Sequence, residues 1–209
     1  MVYYLNLLGT AIFAIGGSLA AARKGMDMFG VVVAAVLTAI GGGTLRDLCL
    51  GVHPVNWATD SSGLVIAVIA GILTFIYVSF HRLTDIPFQH LNVADAFGLA
   101  LFTVIGCNTA IDLNANPLIT VTMGMLTGSG GGIMRDVFSG EIPLFFRKEI
   151  YATACLIGGA AYLMFLEISM SNSWAMLGGA AVTLTIRLAA IHWRLSLPNL
   201  AQHAEDIKT

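Results

Sequence analysis

Long apolar stretches separated by short polar segments run along almost the whole chain. A membrane-spanning helix needs roughly 20 consecutive, mostly apolar residues, and the pattern predicts seven such spans. Their predicted limits are 4–22, 29–50, 62–80, 92–111, 117–139, 149–167 and 174–193. The segments between them contain proline, asparagine, serine or charged residues, as at 112–117. The fold class predicted from this pattern is an all-α integral membrane protein, with residues 1–209 as a single transmembrane domain.

The composition supports this prediction. Of the 209 residues, 57% are hydrophobic and only 11% are charged, whereas about 25% of the residues of a soluble domain are charged. The net charge of −2 and the lack of a basic run argue against nucleic-acid binding. Cys49, Cys107 and Cys155 lie in apolar segments without metal-ligand spacing. They are interpreted as packing residues, and neither a metal nor a cofactor is expected.

One glycine-rich, charged motif occurs twice, at an offset of 89 residues. It reads GGGTLRDLCLG from Gly41 and GGGIMRDVFSG from Gly130. The same offset relates other positions without a gap, for example Phe13 to Phe102. Spans one to three therefore match spans four to six.

This internal match predicts two repeats of three helices each. The first repeat covers 4–80 and the second 92–167, followed by a seventh helix at 174–193 and a tail at 194–209. Because each repeat contains an odd number of spans, the second must enter the membrane from the opposite side. The two units are thus predicted to be inverted repeats about an axis in the membrane plane.

Basic residues in the loops predict the orientation. One predicted side of the membrane carries seven of them and the other side none: Arg23, Lys24, Arg82, Arg147, Lys148, Arg194 and Lys208. Cytoplasmic loops are enriched in Lys and Arg, so the C-terminus is expected in the cytoplasm and the N-terminus outside. Arg187 lies near the cytoplasmic end of the last span, where a structural role or a contact with lipid headgroups is expected. Trp57 lies at a span end, as expected for an interfacial aromatic belt.

The two glycine triplets are unusual inside predicted helices; they are Gly41, Gly42 and Gly43, and Gly130, Gly131 and Gly132. Each glycine disfavours a helix by about 1 kcal/mol relative to alanine. The helix is therefore expected to kink or unwind there, which would free carbonyl groups as ligands for an alkali cation. The alternative is a continuous helix in which the missing side chains allow close packing. Two symmetric copies, each followed by Arg-Asp, favour the first interpretation.

The motif charges are Arg46 and Asp47 in the first copy and Arg135 and Asp136 in the second. Neighbouring residues project about 100° apart on a helix, so each charge is predicted to need a partner on another helix or water. The inverted geometry places the two motifs roughly 6 Å to either side of the midplane, which disfavours direct pairs between them.

Other carboxylates are predicted to lie nearer to each arginine, and the choice among them stays open. They are Asp60 or Asp112 for Arg46, and Asp95 or Glu141 for Arg135. The motif charges are interpreted either as a structural ion pair or as fixed charges that flank an aqueous path, and both can hold together. Enzymatic activity is not predicted, because motifs such as G-x-S-x-G and H-E-x-x-H are absent from the sequence.

At 41–47 and 130–136 the chain resembles prokaryotic members of the trimeric intracellular cation channel family, some of which are labelled as glycine transporters. The resemblance covers nearly the whole chain. It implies a homotrimer in membrane lipid, with one path per protomer that conducts monovalent cations, chiefly potassium. The path would be lined by the second and fifth spans, kinked at the two triplets and flanked by the Arg-Asp pairs. Neither triplet is followed by Lys, so the phosphoinositide binding of animal members is not expected.

The leading hypothesis is therefore a potassium-permeable channel, also open to sodium, in the plasma membrane of a bacterium or archaeon. A secondary transporter for a small neutral solute such as glycine is the alternative, because inverted repeats with interrupted helices also suit alternating access. A structural or regulatory membrane subunit is the third class.

Overall fold

Residues 1–81, 88–147, 150–193 and 195 are described by the computed structural model. Four of the seven loop cations used for the orientation lie outside the described residues: Arg82, Lys148, Arg194 and Lys208. The same holds for the side chain of Arg147 and for nearly all of the tail at 194–209.

Seven long helices in the described part of the chain correspond to the seven predicted spans. They are α1 (Val2–Arg23), α2 (Met28–Leu50), α4 (Ser62–Phe80), α5 (Phe88–Asp112), α6 (Pro117–Phe138), α8 (Ala152–Glu167) and α9 (Asn172–His192). Two four-residue helices, α3 (Asn56–Thr59) and α7 (Leu144–Arg147), follow the glycine motifs and were not predicted.

Five of these helices are long and apolar enough to cross a membrane by length and composition alone. They are α1, α2, α4, α9 and the Leu91–Asp112 part of α5. The helix α8 is shorter, with 16 residues, and α6 carries glycine, serine and threonine where the others carry aliphatic residues. Both pack against spanning helices, α6 against α2 and α5, and α8 against α9. The chain is a multi-pass membrane protein.

Helix ends at equivalent positions of the two repeats use the same local chemistry. Asp27 begins α2 and Asn116 begins α6, and each side chain accepts a hydrogen bond from the amide three residues later, at 2.8 and 3.0 Å. Such caps satisfy amides that the first helical turn leaves without partners. Gly51 and Gly140 end the two motif helices with φ of +70° and +69°, a conformation that glycine adopts without strain.

Reciprocal contacts show that a two-fold relationship joins the repeats. A Cβ atom added to Gly9 would lie 3.2 Å from the Phe102 ring, and one added to Gly98 would lie 2.2 Å from the Phe13 ring. The two phenyl rings contact each other with centroids 5.1 Å apart. Exchanged contacts of this kind are what a two-fold axis requires. Both rings belong to one buried hydrophobic cluster with residues of α5, α8 and α9.

The seventh helix, α9, packs against α5 and α8 of the second repeat. Its Arg187 is only 2% exposed, and the guanidinium carbon lies 4.7 Å from the centroid of the Tyr151 ring. Of the two predicted roles, the structural one fits and the contact with lipid headgroups does not, because the side chain turns inward and stacks on an aromatic ring. Near the other end, Asn172 accepts a hydrogen bond from Tyr162 Oη at 2.6 Å and donates one to Asn108 at 2.8 Å.

Candidate functional site at the crossing of α2 and α6

The helices α2 and α6 cross at the middle glycines of the two motifs. A Cβ atom at Gly42 would lie 2.1 Å from the carbonyl oxygen of Thr127, and one at Gly131 would lie 2.2 Å from that of Thr38. No side chain fits in such a space, so the backbones touch directly. Both helices remain α-helical through the triplets. The predicted unwinding is wrong, because close packing of the two backbones compensates for the poor helix propensity of glycine. The alternative, a kink at the triplets, stays a prediction.

The outer glycines of each triplet have different surroundings. A Cβ atom at Gly43 would find its nearest neighbour, a nitrogen of Arg46, at 3.8 Å, which is an ordinary contact. A Cβ atom at Gly132 would lie 2.6 Å from the hydroxyl of Tyr151. The middle glycine therefore makes the crossing possible in both motifs, and the third glycine leaves room for a Cβ atom in one repeat only.

Two buried threonines contribute their carbonyl groups to the crossing. The hydroxyl of Thr38 donates to the Ala34 carbonyl at 2.7 Å, and that of Thr127 donates to the Met123 carbonyl at 2.6 Å. Each hydroxyl is thereby satisfied within its own helix. What the threonines present to the opposite helix is a carbonyl oxygen, the group that coordinates alkali cations in selectivity filters.

Arg46 and Asp47, both buried, form an ion pair with each other. Nε and Nη2 of Arg46 donate to Oδ1 of Asp47 at 2.8 and 2.7 Å. The prediction that adjacent charges need separate partners is wrong, because it considered the directions of the Cβ atoms alone. The long arginine stem lets the planar guanidinium reach around the helix to its neighbour. Oδ2 of Asp47 accepts the backbone amide of Asn56 at 2.9 Å, which attaches α3 to the end of α2.

Arg135 makes the corresponding pair with Asp136, at 2.8 Å, and a second one with Asp95, at 2.6 Å. Asp95 is thus the partner among the two alternatives left open, whereas Glu141 pairs with Lys24. Among the described residues, the two motifs form no ion pair with each other. Oδ2 of Asp136 accepts the amide of Leu144 at 2.9 Å and attaches α7 as Asp47 attaches α3.

Two cavities whose walls include charged side chains lie at the two ends of the crossing. The large cavity has a volume of about 390 Å³, and its polar wall includes Arg23, Lys24, Asn92, Arg135, Asp136 and Ser139. The small cavity has a volume of about 40 Å³, and its polar wall includes Asn6, Thr10, Thr44, Arg46, Asp47 and Asp60. The glycine crossing and the Phe13–Phe102 contact separate the two. Each cavity therefore contains the Arg-Asp pair of one motif.

The mouth of the small cavity carries an exposed carboxylate, Asp60. Its Oδ1 accepts hydrogen bonds from the amide and the hydroxyl of Ser62, at 3.0 and 2.6 Å. These bonds favour the charged form and hold the pKa of Asp60 below its ordinary value. Asp60 is therefore negatively charged at neutral pH.

Trp57 and Thr44 are site residues that the sequence pattern did not reveal. The indole Nε1 of Trp57 donates to Oγ1 of Thr44 at 3.1 Å, and the ring forms part of the wall of the small cavity. The signal that could have found them is a departure from the repeat. The positions 89 residues later hold Phe146 and Ile133, neither of which can make this hydrogen bond.

Comparison with known proteins finds relatives that are all membrane proteins of one family. Residues 3–79 and 92–167 match the family model described as "Glycine transporter". The chain is 49% identical over 202 residues to the UPF0126 inner membrane protein YadS of Escherichia coli (strain K12), which covers 96% of this chain and 97% of that protein. It is 47% identical to a UPF0126 membrane protein of Vibrio cholerae, over 96% of this chain and 83% of that protein.

Solved structures agree with these sequence matches. The TRIC trimeric intracellular cation channel orthologue from Rhodobacter sphaeroides superposes with a TM-score of 0.86 at 36% identity, over 93% of this chain and 98% of that chain. A prokaryotic TRIC channel crystallised in 0.5 M KCl gives a TM-score of 0.85 at 31% identity, over 94% and 98% of the two chains.

Proposed function

This chain belongs to the trimeric intracellular cation (TRIC) channel family, and we propose on that premise that it is a potassium-permeable cation channel. Each protomer would contain its own path, which runs along the crossing of α2 and α6. Potassium and sodium would be its permeant ions, and no cofactor or chemical reaction is part of the proposal.

The observation that carries this proposal is the pair of cavities at the two ends of one helix crossing. The backbones of the two helices touch at Gly42 and Gly131, one turn before the Arg-Asp pair that each helix contributes to its own cavity. A bend of α2 or α6 at a glycine triplet would move these backbones apart without the need to displace a side chain at the crossing. The carbonyl groups of Thr38 and Thr127 would then face the opened space as cation ligands.

The charges of the two motifs and of the small cavity suit a cation. Each motif arginine is neutralised by its own carboxylate partners, which lowers the electrostatic barrier that an unpaired arginine would impose. Asp60 adds a negative charge at the mouth of the small cavity. A negatively charged mouth raises the local concentration of cations.

We further propose a homotrimer in the bacterial inner membrane, with the C-terminus in the cytoplasm. The trimer is supported by the related TRIC channels and the location by the name of the Escherichia coli relative. The loop cations Arg23 and Lys24, at one end of α1, support the orientation. The helix α4 is the most exposed of the candidate spans, with 17% of its most apolar window buried in one protomer, which suits a surface that contacts lipid or another protomer.

Single-channel recording tests the channel. Purified protein inserted into a planar bilayer should pass currents that reverse near the potassium equilibrium potential under a potassium gradient with an impermeant counterion. Gly131→Val should reduce these currents, because the added side chain would occupy the crossing. Electrically silent protein, with insertion confirmed by protease protection, would contradict the proposal.

A second candidate function is a secondary transporter for a small neutral solute such as glycine. Two cavities that are separated by a closed crossing suit alternating access, and the matching family model is described as "Glycine transporter". Saturable uptake of labelled glycine into liposomes, without a potassium current, would favour this alternative over the channel.

A further inference from the structure

The small cavity has space for very few particles. One water needs about 10–15 Å³ of such volume, so a cavity of about 40 Å³ holds on the order of three waters. A cation with its full hydration shell does not fit. A cation that entered would have to exchange most of its water for oxygen atoms of the protein.

The wall of this cavity offers such oxygen atoms. Thr10 is 3% exposed, and its hydroxyl makes no hydrogen bond to another described residue although it lines the cavity. The Asn6 side chain lines the same wall and also has no hydrogen-bond partner among the described residues. Asp60 contributes a carboxylate that pairs with no cationic side chain in the described part of the chain.

The net charge of the wall favours a cation. Arg46 and Asp47 cancel each other in their ion pair. Asp60 remains, which leaves the wall with one negative charge. An anion such as chloride is disfavoured by this charge, and Mg²⁺ is disfavoured because it gives up its water reluctantly. A singly charged, weakly hydrated cation such as potassium meets both conditions.

The indole of Trp57 lines this cavity. Two bonds hold the segment that carries it, one from Trp57 to Thr44 and one from the Asn56 amide to Asp47. At the equivalent position of the other repeat, Phe146 is 69% exposed and does not line the large cavity.

We propose that the small cavity is an occlusion site for one partly dehydrated monovalent cation, with Trp57 as its lid. The inference rests on the proposed function, because it assigns a resting place to the permeant ion at one end of the path. Asn6, Thr10 and Asp60 replace the lost water. The ion leaves when the indole breaks its bond to Thr44 and lifts.

The binding half of this inference is tested on the full-length protein in lipid nanodiscs. Trp174→Phe and Trp193→Phe leave Trp57 as the single tryptophan, and both replaced side chains are exposed. Potassium chloride should change the Trp57 fluorescence saturably, whereas choline chloride and magnesium chloride at equal ionic strength should not. Asp60→Asn, or Thr10→Val, should raise the half-saturating potassium concentration at least tenfold. An unsaturable response, or one that Asp60→Asn leaves unchanged, overturns the site.

The lid half is tested by potassium flux into liposomes. Thr44→Val and Trp57→Phe each remove one partner of the lid bond and should increase flux several-fold. Phe146→Leu, at the equivalent position without a lid, is the matched control and should leave flux unchanged. Equal flux in all of these proteins overturns the lid.

The two measurements also separate this inference from the proposed channel. Potassium flux in wild-type protein without a saturable fluorescence response overturns the occlusion site and leaves the channel intact. A saturable, Asp60-dependent response in protein that passes no potassium supports the site and overturns the channel. Absence of both responses in protein with confirmed insertion overturns both proposals.

Discussion

Asp95 occupies in the second repeat the position that Asn6 occupies in the first, and it gives Arg135 a carboxylate partner that Arg46 lacks. The bond from Arg135 Nη1 to Asp95 Oδ1 is 2.6 Å long, and both side chains are almost completely buried. Arg46 pairs with Asp47 alone among the described residues. Two motifs of nearly the same sequence therefore differ in electrostatic support, because the difference lies on another helix.

Asp95→Asn should lower the free energy of unfolding by about 2 kcal/mol, because Arg135 loses its hydrogen bond to a buried carboxylate. Asp136 still compensates the charge of Arg135, so the loss stays below that of a buried charge without any partner. Thermal or denaturant unfolding in detergent measures the change. Lys24→Gln breaks a half-exposed pair and should change stability by less than about 1 kcal/mol. Equal effects of the two substitutions would contradict the prediction.

Gly42→Ala and Gly43→Ala should change the stability of the protein in opposite directions, although the two glycines are adjacent in one helix. Alanine at 43 finds no close neighbour and should stabilise the helix by up to about 1 kcal/mol. Alanine at 42 would lie 2.1 Å from the Thr127 carbonyl oxygen and should destabilise the protein by about 1–3 kcal/mol through overpacking. The melting temperatures of the two purified variants, compared with that of the wild type, test this prediction. Similar melting temperatures would show that the crossing is looser than described.

Tyr151→Phe and Tyr162→Phe should also differ in their effect on stability, although both tyrosines are fully buried. The Tyr151 hydroxyl has no hydrogen-bond partner among the described residues, so its removal should be neutral or slightly stabilising. The Tyr162 hydroxyl donates to Asn172 at 2.6 Å, so its removal breaks a hydrogen bond and should cost about 1 kcal/mol. Unfolding in detergent measures both. A large loss for Tyr151→Phe would instead indicate a buried water at that hydroxyl.

Gly132→Ala should destabilise the wild-type protein and be tolerated in the Tyr151→Phe background. The added methyl group would lie 2.6 Å from the Tyr151 hydroxyl and 3.6 Å from the ring carbon behind it. Removal of the hydroxyl therefore removes the clash. A double-mutant cycle on unfolding free energies should give a coupling of at least about 1 kcal/mol. Additive effects would show that the ring moves aside without cost.

The sequence-based errors have two origins. The separate partners for Arg46 and Asp47 were inferred from Cβ directions without the length of the arginine side chain, whereas the unwinding at the triplets was inferred from the properties of an isolated helix. Contact between α2 and α6 at Gly42 supplies the packing that an isolated triplet lacks. The inward turn of Arg187 depends in the same way on Tyr151, a residue on the α8 side of the fold. The short helices α3 and α7 were missed because their starts are held by carboxylates 8 or 9 residues earlier in the chain.

The sequence by itself determined the seven helices and the two related units. Hydrophobic length and the 89-residue offset are local or additive properties, and the membrane leaves few alternatives to a helix for an apolar segment of that length. The tertiary structure alone decided which glycine carries the crossing, which carboxylate holds Arg135, and that the two cavities differ about tenfold in volume. These features depend on distances between groups on different helices, and the periodicity of a sequence contains no information about such distances.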